Sequence, residues 1–244
     1  MKKIIILILF CFSSLSFAQE KDSFQNRDRL EQRLSQGEIF TDGGFEGKAV
    51  WGKMKAVINV PPEIVWKLFI KTNDWKYYKM PTLADSHTVN AEILRQVGSS
   101  TKSERFYQVF GSQFIDPFLF QKKGQKWTGY FFQFFDLPWP VANRWMIVKA
   151  DYDEAKIQES TYRCDWVKEA GNIVMSEGSF KLSRYQGDRY RTLFDYDVVA
   201  DTGSSVPKFL LKWGIKSTMP GIVQAIRKVA QEEYGRPPPI LQTQ

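Results

Sequence analysis

The sequence predicts an α+β fold in which a curved antiparallel sheet wraps around a long C-terminal helix and leaves an internal hydrophobic cavity. Apolar and polar residues alternate in stretches through most of 84–200, and only short connectors separate these stretches, which is typical of antiparallel strands. Residues 206–234 then return to helical spacing. The chain also contains 19 Phe, 10 Tyr and 8 Trp, and such large rings can fill a core or line a cavity.

The region before the alternating stretches combines short helices with two strands. Leu30 and Leu34 are four residues apart, which favours a short amphipathic helix. Prolines and an acidic residue in a first turn favour another helix, with an apolar stripe along one side. In order, we expect a short helix within 19–36, strands at 38–41 and 48–59 joined by a turn at Asp42-Gly43-Gly44, a helix from Pro61, and a short helical or irregular segment at 71–79.

The alternating stretches predict a series of further strands, separated by clusters of glycine, proline and charged residues. A large antiparallel sheet must cover its apolar face, and the helix at 206–234 is the only predicted element long enough to do so. Pro220 is expected to kink or split this helix, which would let part of it act as a lid. The strands are predicted at 86–97, 103–114, 125–135, 144–152, 158–168, 173–184 and 189–200.

The N-terminus has the three regions of a secretory signal peptide. Lys2 and Lys3 precede a short apolar run, and small residues then precede a cleavage site after Ala18. We therefore expect a secreted or periplasmic protein. The predicted organisation is a signal peptide at 1–18, a polar segment at 19–36, one domain at 37–235 and a flexible tail at 236–244.

Three segments carry a family resemblance. The segment LPWPVANR at 137–144 resembles a loop that ends in Pro-x-x-x-Arg-Asp and opens a strand, and DTGSSVPKFL at 201–210 resembles a turn and proline that open a C-terminal helix. The segment VINVPPEIVW at 57–66 is similar to a strand-to-helix entry. Together they resemble the START domain of the SRPBCC, or helix-grip, superfamily. The resemblance implies a lipid or other hydrophobic small molecule held between the sheet and the C-terminal helix.

The resemblance also implies a role for Arg144. In START domains the matching arginine faces the cavity and pairs with an acid on a neighbouring strand. Here Trp145 stands where the family usually has aspartate, and the preceding strand, 126–135, contains no carboxylate. The partner of Arg144 is therefore open between another acid and an anionic ligand head group; the candidate acids are Glu104, Asp136 and Asp165.

The strand at 126–135 is aromatic on both faces, with Tyr130, Phe132 and Phe134 on one face and Trp127, Phe131 and Phe135 on the other. It is either a central strand between two packed layers or a strand with one face on a pocket. Our candidate ligand-binding residues are Arg144, Tyr130, Phe132, Phe134, Phe110, Met146, Tyr162, Trp166, Phe194, Leu210 and Trp213.

Residues for catalysis or metal binding are scarce. His87 is the only histidine in the chain, which leaves little for a Ser-His-Asp triad or a histidine-ligated metal. We expect His87 to be exposed and Cys164 to act as a small core hydrophobe. No cofactor or metal is predicted. A cyclase-like or hydrolase-like enzyme acting in the same cavity, or a ligand-free interaction module, are the alternatives to a binding protein.

The charge of the chain permits two interpretations. The formal net charge is +7, and Lys208, Lys212 and Lys216 recur along one side of the C-terminal helix. This stripe is either a solvated helix face or a surface for transient contact with an anionic membrane. Nucleic acid is not an expected partner, because no basic run is interleaved with stacking aromatics.

Overall fold

One open, curved antiparallel sheet dominates the structure. The computed structural model describes residues 27–111, 125–137, 141–203, 206 and 208–234, without the side chains of 27, 208–210 and 212–214. Within these residues, eight strands lie in the order β1-β2-β8-β7-β6-β5-β4-β3. They are β1 (Ile39–Glu46), β2 (Ala49–Ile58), β3 (Leu83–Val89), β4 (Lys126–Phe135), β5 (Arg144–Asp153), β6 (Tyr162–Gly171), β7 (Met175–Tyr185) and β8 (Asp188–Asp201).

Helices lie on both sides of this sheet. The C-terminal helix covers the inner face, and the predicted fold class, a curved sheet against a long C-terminal helix, is confirmed. None of the described helices is both long and apolar enough to cross a membrane. The helices are α1 (Arg27–Ser35), α2 (Pro62–Ile70), α3 (Ala91–Val97), α4 (Ser103–Phe110) and α5 (Lys208–Tyr234), with short 3-10 segments at Thr72–Tyr77 and Ile157–Glu159.

Two glycines let α5 approach the sheet closely. A Cβ added at Gly43 would lie 2.9 Å from Cγ2 of Ile215, and one added at Gly52 would lie 2.7 Å from Sδ of Met219. Only glycine leaves room for these contacts. The Asp42-Gly43-Gly44 segment, predicted as a turn, instead continues β1 to Glu46, and the chain turns at Gly47, whose φ is 61°.

The C-terminal half of α5 is tied to β2. The guanidinium of Arg227 donates two hydrogen bonds to the carbonyl oxygen of Val57, at 3.1 Å from Nε and 2.7 Å from Nη2. Val223 and Ile226 on the same half are fully buried in the main core, which lies between the inner face of the sheet and the helices α2 and α5. The helix continues through Pro220, so the expected split at this residue is not present.

The segment between β3 and β4 differs most from expectation. Strands predicted at 86–97 and 103–114 are replaced by the shorter β3 and the helices α3 and α4. Asn90 caps α3 by accepting a hydrogen bond from the amide of Ile93 at 2.8 Å, and Gly98 and Gly111 end α3 and α4 with φ of 57° and 55°. The reason is the spacing of the buried apolar residues, which are four positions apart in each helix and so suit a helix packed on a sheet. They are Ile93 and Val97 in α3, and Phe106 and Phe110 in α4.

The helices α3 and α4 bury a second core against the outer face of the sheet. Phe106 of α4 stacks on Phe132 of β4, with ring centroids 3.6 Å apart. Trp145 and Ile147 of β5 complete this core and are almost fully buried. Consequently, β4 and β5 lie between two packed layers, which is one of the two arrangements that the aromatic pattern of β4 predicted.

The remaining outer face is partly covered and partly charged. Leu30 and Leu34 of α1 pack on this face, which confirms the short N-terminal helix. Asp195 of β8 forms an ion pair with Lys55 of β2 at 2.9 Å. Cross-strand pairs of this kind mark the face that meets water.

Candidate ligand cavity

A cavity of about 350 Å3 lies between the inner face of the sheet and the first half of α5. Five strands, β4 to β8, supply most of its floor, while α5 and the loop before β3 form the opposite wall. Its lining is mainly apolar; the largest contributors are Phe69, Trp75, Phe131, Phe135, Met146, Tyr152, Trp166, Phe180, Tyr196, Leu211, Ile215, Met219 and Ile222.

One end of the cavity is built from aromatic rings. Phe69 of α2 packs on Phe180 of β7 with ring centroids 4.5 Å apart, and Trp75 meets Phe131 of β4 edge-on at 5.1 Å. Tyr152 of β5 lies on the same side and is almost fully buried. This end therefore presents a rigid apolar surface to any occupant.

Arg144 lies at the other end, where β5 begins. It is 7% exposed and lines the cavity. Its guanidinium donates hydrogen bonds to the carbonyl oxygens of Ala142 at 2.8 Å and of Thr202 at 3.3 Å. Of the acids considered as its partner, Asp165 forms an ion pair with Arg163 at 2.6 Å. Backbone carbonyls thus supply part of the pairing that a buried guanidinium needs.

Other polar side chains share this end with Arg144. Gln133 of β4, Ser176 of β7 and Thr202, which directly follows β8, all line the cavity. The hydroxyl oxygen of Thr202 is buried and has no hydrogen-bond partner in the described part of the chain. The cavity is therefore polar at one end and aromatic at the other.

The loop before β3 closes one side of the cavity in a strained conformation. Met80, Pro81 and Thr82 line the cavity. Two residues of this loop, Lys79 and Thr82, have positive φ angles of 56° and 63°. Residues other than glycine rarely adopt this left-handed backbone conformation, and a β-branched residue such as threonine does so least of all.

Two phenols and one thiol that face the cavity are held neutral by burial. Burial raises the pKa of the Tyr152 and Tyr196 phenols and of the Cys164 thiol above their ordinary values. A neutral thiol is a weak nucleophile. Among the described residues no group of three or more potential ligands is placed to hold a metal ion.

Solved structures with the same architecture place this arrangement in a known fold. No family model matches the sequence, and no curated protein is significantly similar to it. A STAR-related lipid transfer protein from Xanthomonas axonopodis superposes with a TM-score of 0.56 at 16% identity, over 79% of this chain and 93% of that one. Human STARD10 superposes with a TM-score of 0.50 at 10% identity, over 85% of this chain and 80% of that one. The chain has the START helix-grip fold.

Within the START fold, three of the predicted ligand-binding residues face the cavity. Arg144, Met146 and Trp166 line it. Tyr162 and Phe194 belong to the adjoining main core without lining the cavity. The side chains of Leu210 and Trp213 lie outside the described residues, as do those of Lys208 and Lys212 from the predicted basic stripe.

The remaining four predicted residues lie on the wrong side of the sheet. Tyr130, Phe132 and Phe134 of β4 and Phe110 of α4 belong to the second core, so the choice of these residues as cavity lining has to be corrected. The physical reason is that α3 and α4 cover the outer face and need apolar partners there. The opposite face of β4 faces the cavity instead.

A signal in the sequence could have identified the correct face of β4. Phe135 pairs directly with Arg144 in the β4–β5 ladder, and paired residues lie on the same face. Once Arg144 faces the cavity, alternation along β4 makes Phe131 and Gln133 face it too. By contrast, Phe69 and Trp75 come from outside the sheet, and strand alternation gives no signal for them.

His87 also differs from expectation, because it is not exposed. Its side chain is 19% accessible and lies 2.9 Å from a carboxylate oxygen of Asp85. Its ring packs on Phe110 with centroids 4.7 Å apart. His87 therefore packs against the second core, on the face of the sheet away from the cavity.

Proposed function

We propose that this protein binds a lipid or other hydrophobic small molecule in the cavity between the sheet and α5. The observation that carries the proposal is a cavity between the sheet and α5 with a mainly apolar lining and a cluster of polar side chains at one end. Apolar surface removed from water contributes about 25 cal/mol per Å2, so such a cavity favours an apolar occupant. The shared fold with a STAR-related lipid transfer protein supports the same class of ligand.

A pair of neighbouring substitutions on β8 tests the proposal. Ala200 lines the cavity, whereas Val199 is directly adjacent and points to the opposite face. We expect Ala200→Phe to fill the cavity and weaken binding of the apolar fluorophore N-phenylnaphthylamine by at least about tenfold, equal to about 1.4 kcal/mol. Val199→Phe is the matched control and should bind normally. Equal binding by both folded variants would disprove the proposal, as would the absence of binding by the unmodified protein.

Arg144 is proposed to fix the polar end of the ligand. Because its guanidinium also supports the loop carbonyl of Ala142, Arg144→Lys is the first variant to compare, followed by Arg144→Gln. Lysine keeps the positive charge but lacks the planar, fixed set of hydrogen-bond donors of the guanidinium group. We expect weaker binding of ligands with a polar head in both folded variants. Unchanged affinity in both would exclude this role.

If the protein is exported, it is placed to carry its ligand between membranes. The proposal of export rests on the signal-peptide pattern that ends at Ala18. Expression of the full gene product, fractionation and N-terminal sequencing should give a mature chain beginning at Gln19. Flotation with anionic vesicles then tests membrane contact through the basic side of α5, including the exposed Lys216. An uncleaved protein confined to the cytosol would refute export without affecting ligand binding.

A further inference from the structure

We propose that the cavity takes a single-chain amphiphile of about a dozen heavy atoms, with one small oxygen-bearing head group, and does not accept a two-chain lipid. The inference rests on the proposed function and adds to it the chemical class of the ligand. Three features of the cavity lead to it: its volume, its polarity from end to end, and an unpartnered hydroxyl at the polar end.

The volume limits the number of atoms. A water molecule takes about 30 Å3 of liquid, and a methylene group takes nearly the same space. A cavity of about 350 Å3 therefore accommodates about a dozen such groups. One medium-length acyl chain fits this space. The two chains and head group of a phospholipid exceed it several-fold.

The packing of α5 fixes this volume. Gly43 and Gly52 bring the helix into contact with the sheet through Ile215 and Met219, and both of these side chains also line the cavity. A larger ligand would have to lift α5 away from these two contacts. Close-packed interfaces of this kind resist gradual widening.

The polar lining residues lie at one end of the strands. Gln133 pairs with Met146, two residues into β5 from Arg144, and Ser176 pairs with Ala200, two residues before Thr202. The opposite end presents the rings of Phe69, Trp75, Tyr152 and Phe180. A ligand that satisfies both ends is an amphiphile with one polar terminus and an apolar remainder.

The hydroxyl of Thr202 indicates the kind of head group. Buried hydroxyls nearly always have a hydrogen-bond partner, yet this oxygen has none within the described residues. The carbonyl of the same residue accepts from Arg144, and a head group at this position would lie within reach of both side chains. A hydroxyl or a carboxylate can pair with the threonine hydroxyl and with the Gln133 amide.

A chain-length series tests the class of ligand. The full protein is titrated with straight-chain fatty acids, with the matching alcohols and with dilauroyl phosphatidylcholine, using the fluorescence of Trp75 and Trp166, which both line the cavity, and native mass spectrometry for stoichiometry. We expect one ligand per chain and an affinity that rises about fourfold per added methylene, equal to about 0.8 kcal/mol, up to about twelve carbons. Longer chains should gain nothing more.

The outcomes separate this inference from the proposed function. One phospholipid per chain, bound as tightly as lauric acid, would overturn the inference and leave the proposed function standing. An affinity that continues to rise well beyond lauric acid would also overturn it. If none of the acids, alcohols or phospholipids bound the folded protein while N-phenylnaphthylamine still did, the inference would be overturned and the proposed function would stand. If N-phenylnaphthylamine also failed to bind, the proposed function itself would be refuted.

A substitution of Thr202 tests the head-group position separately. Thr202→Val keeps the shape of the side chain and removes its hydroxyl, so we expect about tenfold weaker binding of dodecanol and lauric acid. Thr128→Val is the matched control, because Thr128 lies on an exposed part of β4 outside the cavity. If Thr202→Val bound dodecanol as tightly as the control did, the assigned head-group position would be wrong.

Discussion

Gly221 of α5 lies directly against the ring of Pro81, so that an added Cβ at Gly221 would fall 2.2 Å from Cγ of the proline. This contact joins the helix to the strained loop that closes one side of the cavity. We expect Gly221→Ala to lower the free energy of unfolding by about 1–3 kcal/mol, because it overfills a packed contact. Urea denaturation measures the change.

The control for this substitution is an exposed position on the same helix. Gln224→Ala should change stability by less than about 0.5 kcal/mol, because Gln224 is exposed. Alanine ordinarily stabilises a helix relative to glycine. A stabilised Gly221→Ala variant would therefore show that the Pro81 contact does not restrain the helix.

The strained loop offers a second test in which the substitution should stabilise the protein. Lys79 is exposed and has a φ of 56°, which glycine adopts without steric cost. Lys79→Gly should raise the free energy of unfolding by about 0.5–1 kcal/mol, because relief of strain exceeds the loss of backbone restriction. Lys67→Gly, at an exposed position within α2, should lower it by about 1 kcal/mol. We therefore predict changes of opposite sign in the free energy of unfolding, and a decrease in both variants would contradict this prediction.

Asp85 should contribute to stability in a pH-dependent way. Burial of the Asp85 carboxyl pushes its pKa upward, but the hydrogen bond and charge of His87, the charge of Lys76 and the Tyr107 hydroxyl outweigh this effect and lower it. The stabilisation is then present above the unfolded pKa of about 3.9 and is lost as pH falls through the lower folded pKa.

We expect Asp85→Asn to cost about 1–2 kcal/mol at neutral pH and to lose less stability than the wild type below about pH 4. Thermal unfolding across pH 2 to 7 measures both effects. Asp28→Asn, at an exposed position of α1, should change neither by more than about 0.5 kcal/mol. Parallel pH profiles for wild type and Asp85→Asn would refute this role.

Cys164 should destabilise the fold at alkaline pH. Burial raises the pKa of its thiol, with smaller contributions from the charges of Asp165 and Asp151. Above about pH 8.5 the unfolded thiol ionises while the folded one stays protonated, so stability falls as pH rises by up to about 1.4 kcal/mol per unit. Cys164→Ala should show a shallower slope between about pH 8 and 9.5. Identical slopes would exclude the thiol as the cause.

The two halves of α5 should differ in hydrogen exchange. Arg227 ties the second half to Val57, whereas the first half covers the cavity with Leu211 and Ile215. We expect amides in 208–219 to exchange faster than those in 221–234 in the ligand-free protein, and to slow when a ligand is bound. Uniform strong protection along the helix without ligand would argue against a lid in its first half.

The sequence predicts the overall architecture well, because one face of most strands meets water and the other meets the core. Lys55 and Asp195 pair on the wet face of β2 and β8, while Ala56 and Phe194 on the same strands are buried. Alternation is clear in such strands. The C-terminal helix is likewise evident from its length and spacing.

Prediction of the site is weaker because alternation disappears in β4. Phe132 and Phe131 are adjacent and both are buried, each in a different core. Hydrophobicity alone therefore cannot assign a face, and the register with Arg144 is needed. The short helices α3 and α4 were missed for a related reason, since apolar runs of their length fit either a buried strand or a helix.

The position of β4 between two cores has a consequence for how the pocket could diversify. Phe132 stacks on Phe106, and its neighbour Phe131 contributes to the cavity wall. A change of side-chain volume on α4 would shift the strand as a unit, since close-packed layers transmit displacement. Ligand preference could thus be retuned by substitutions on α4 that never touch the ligand.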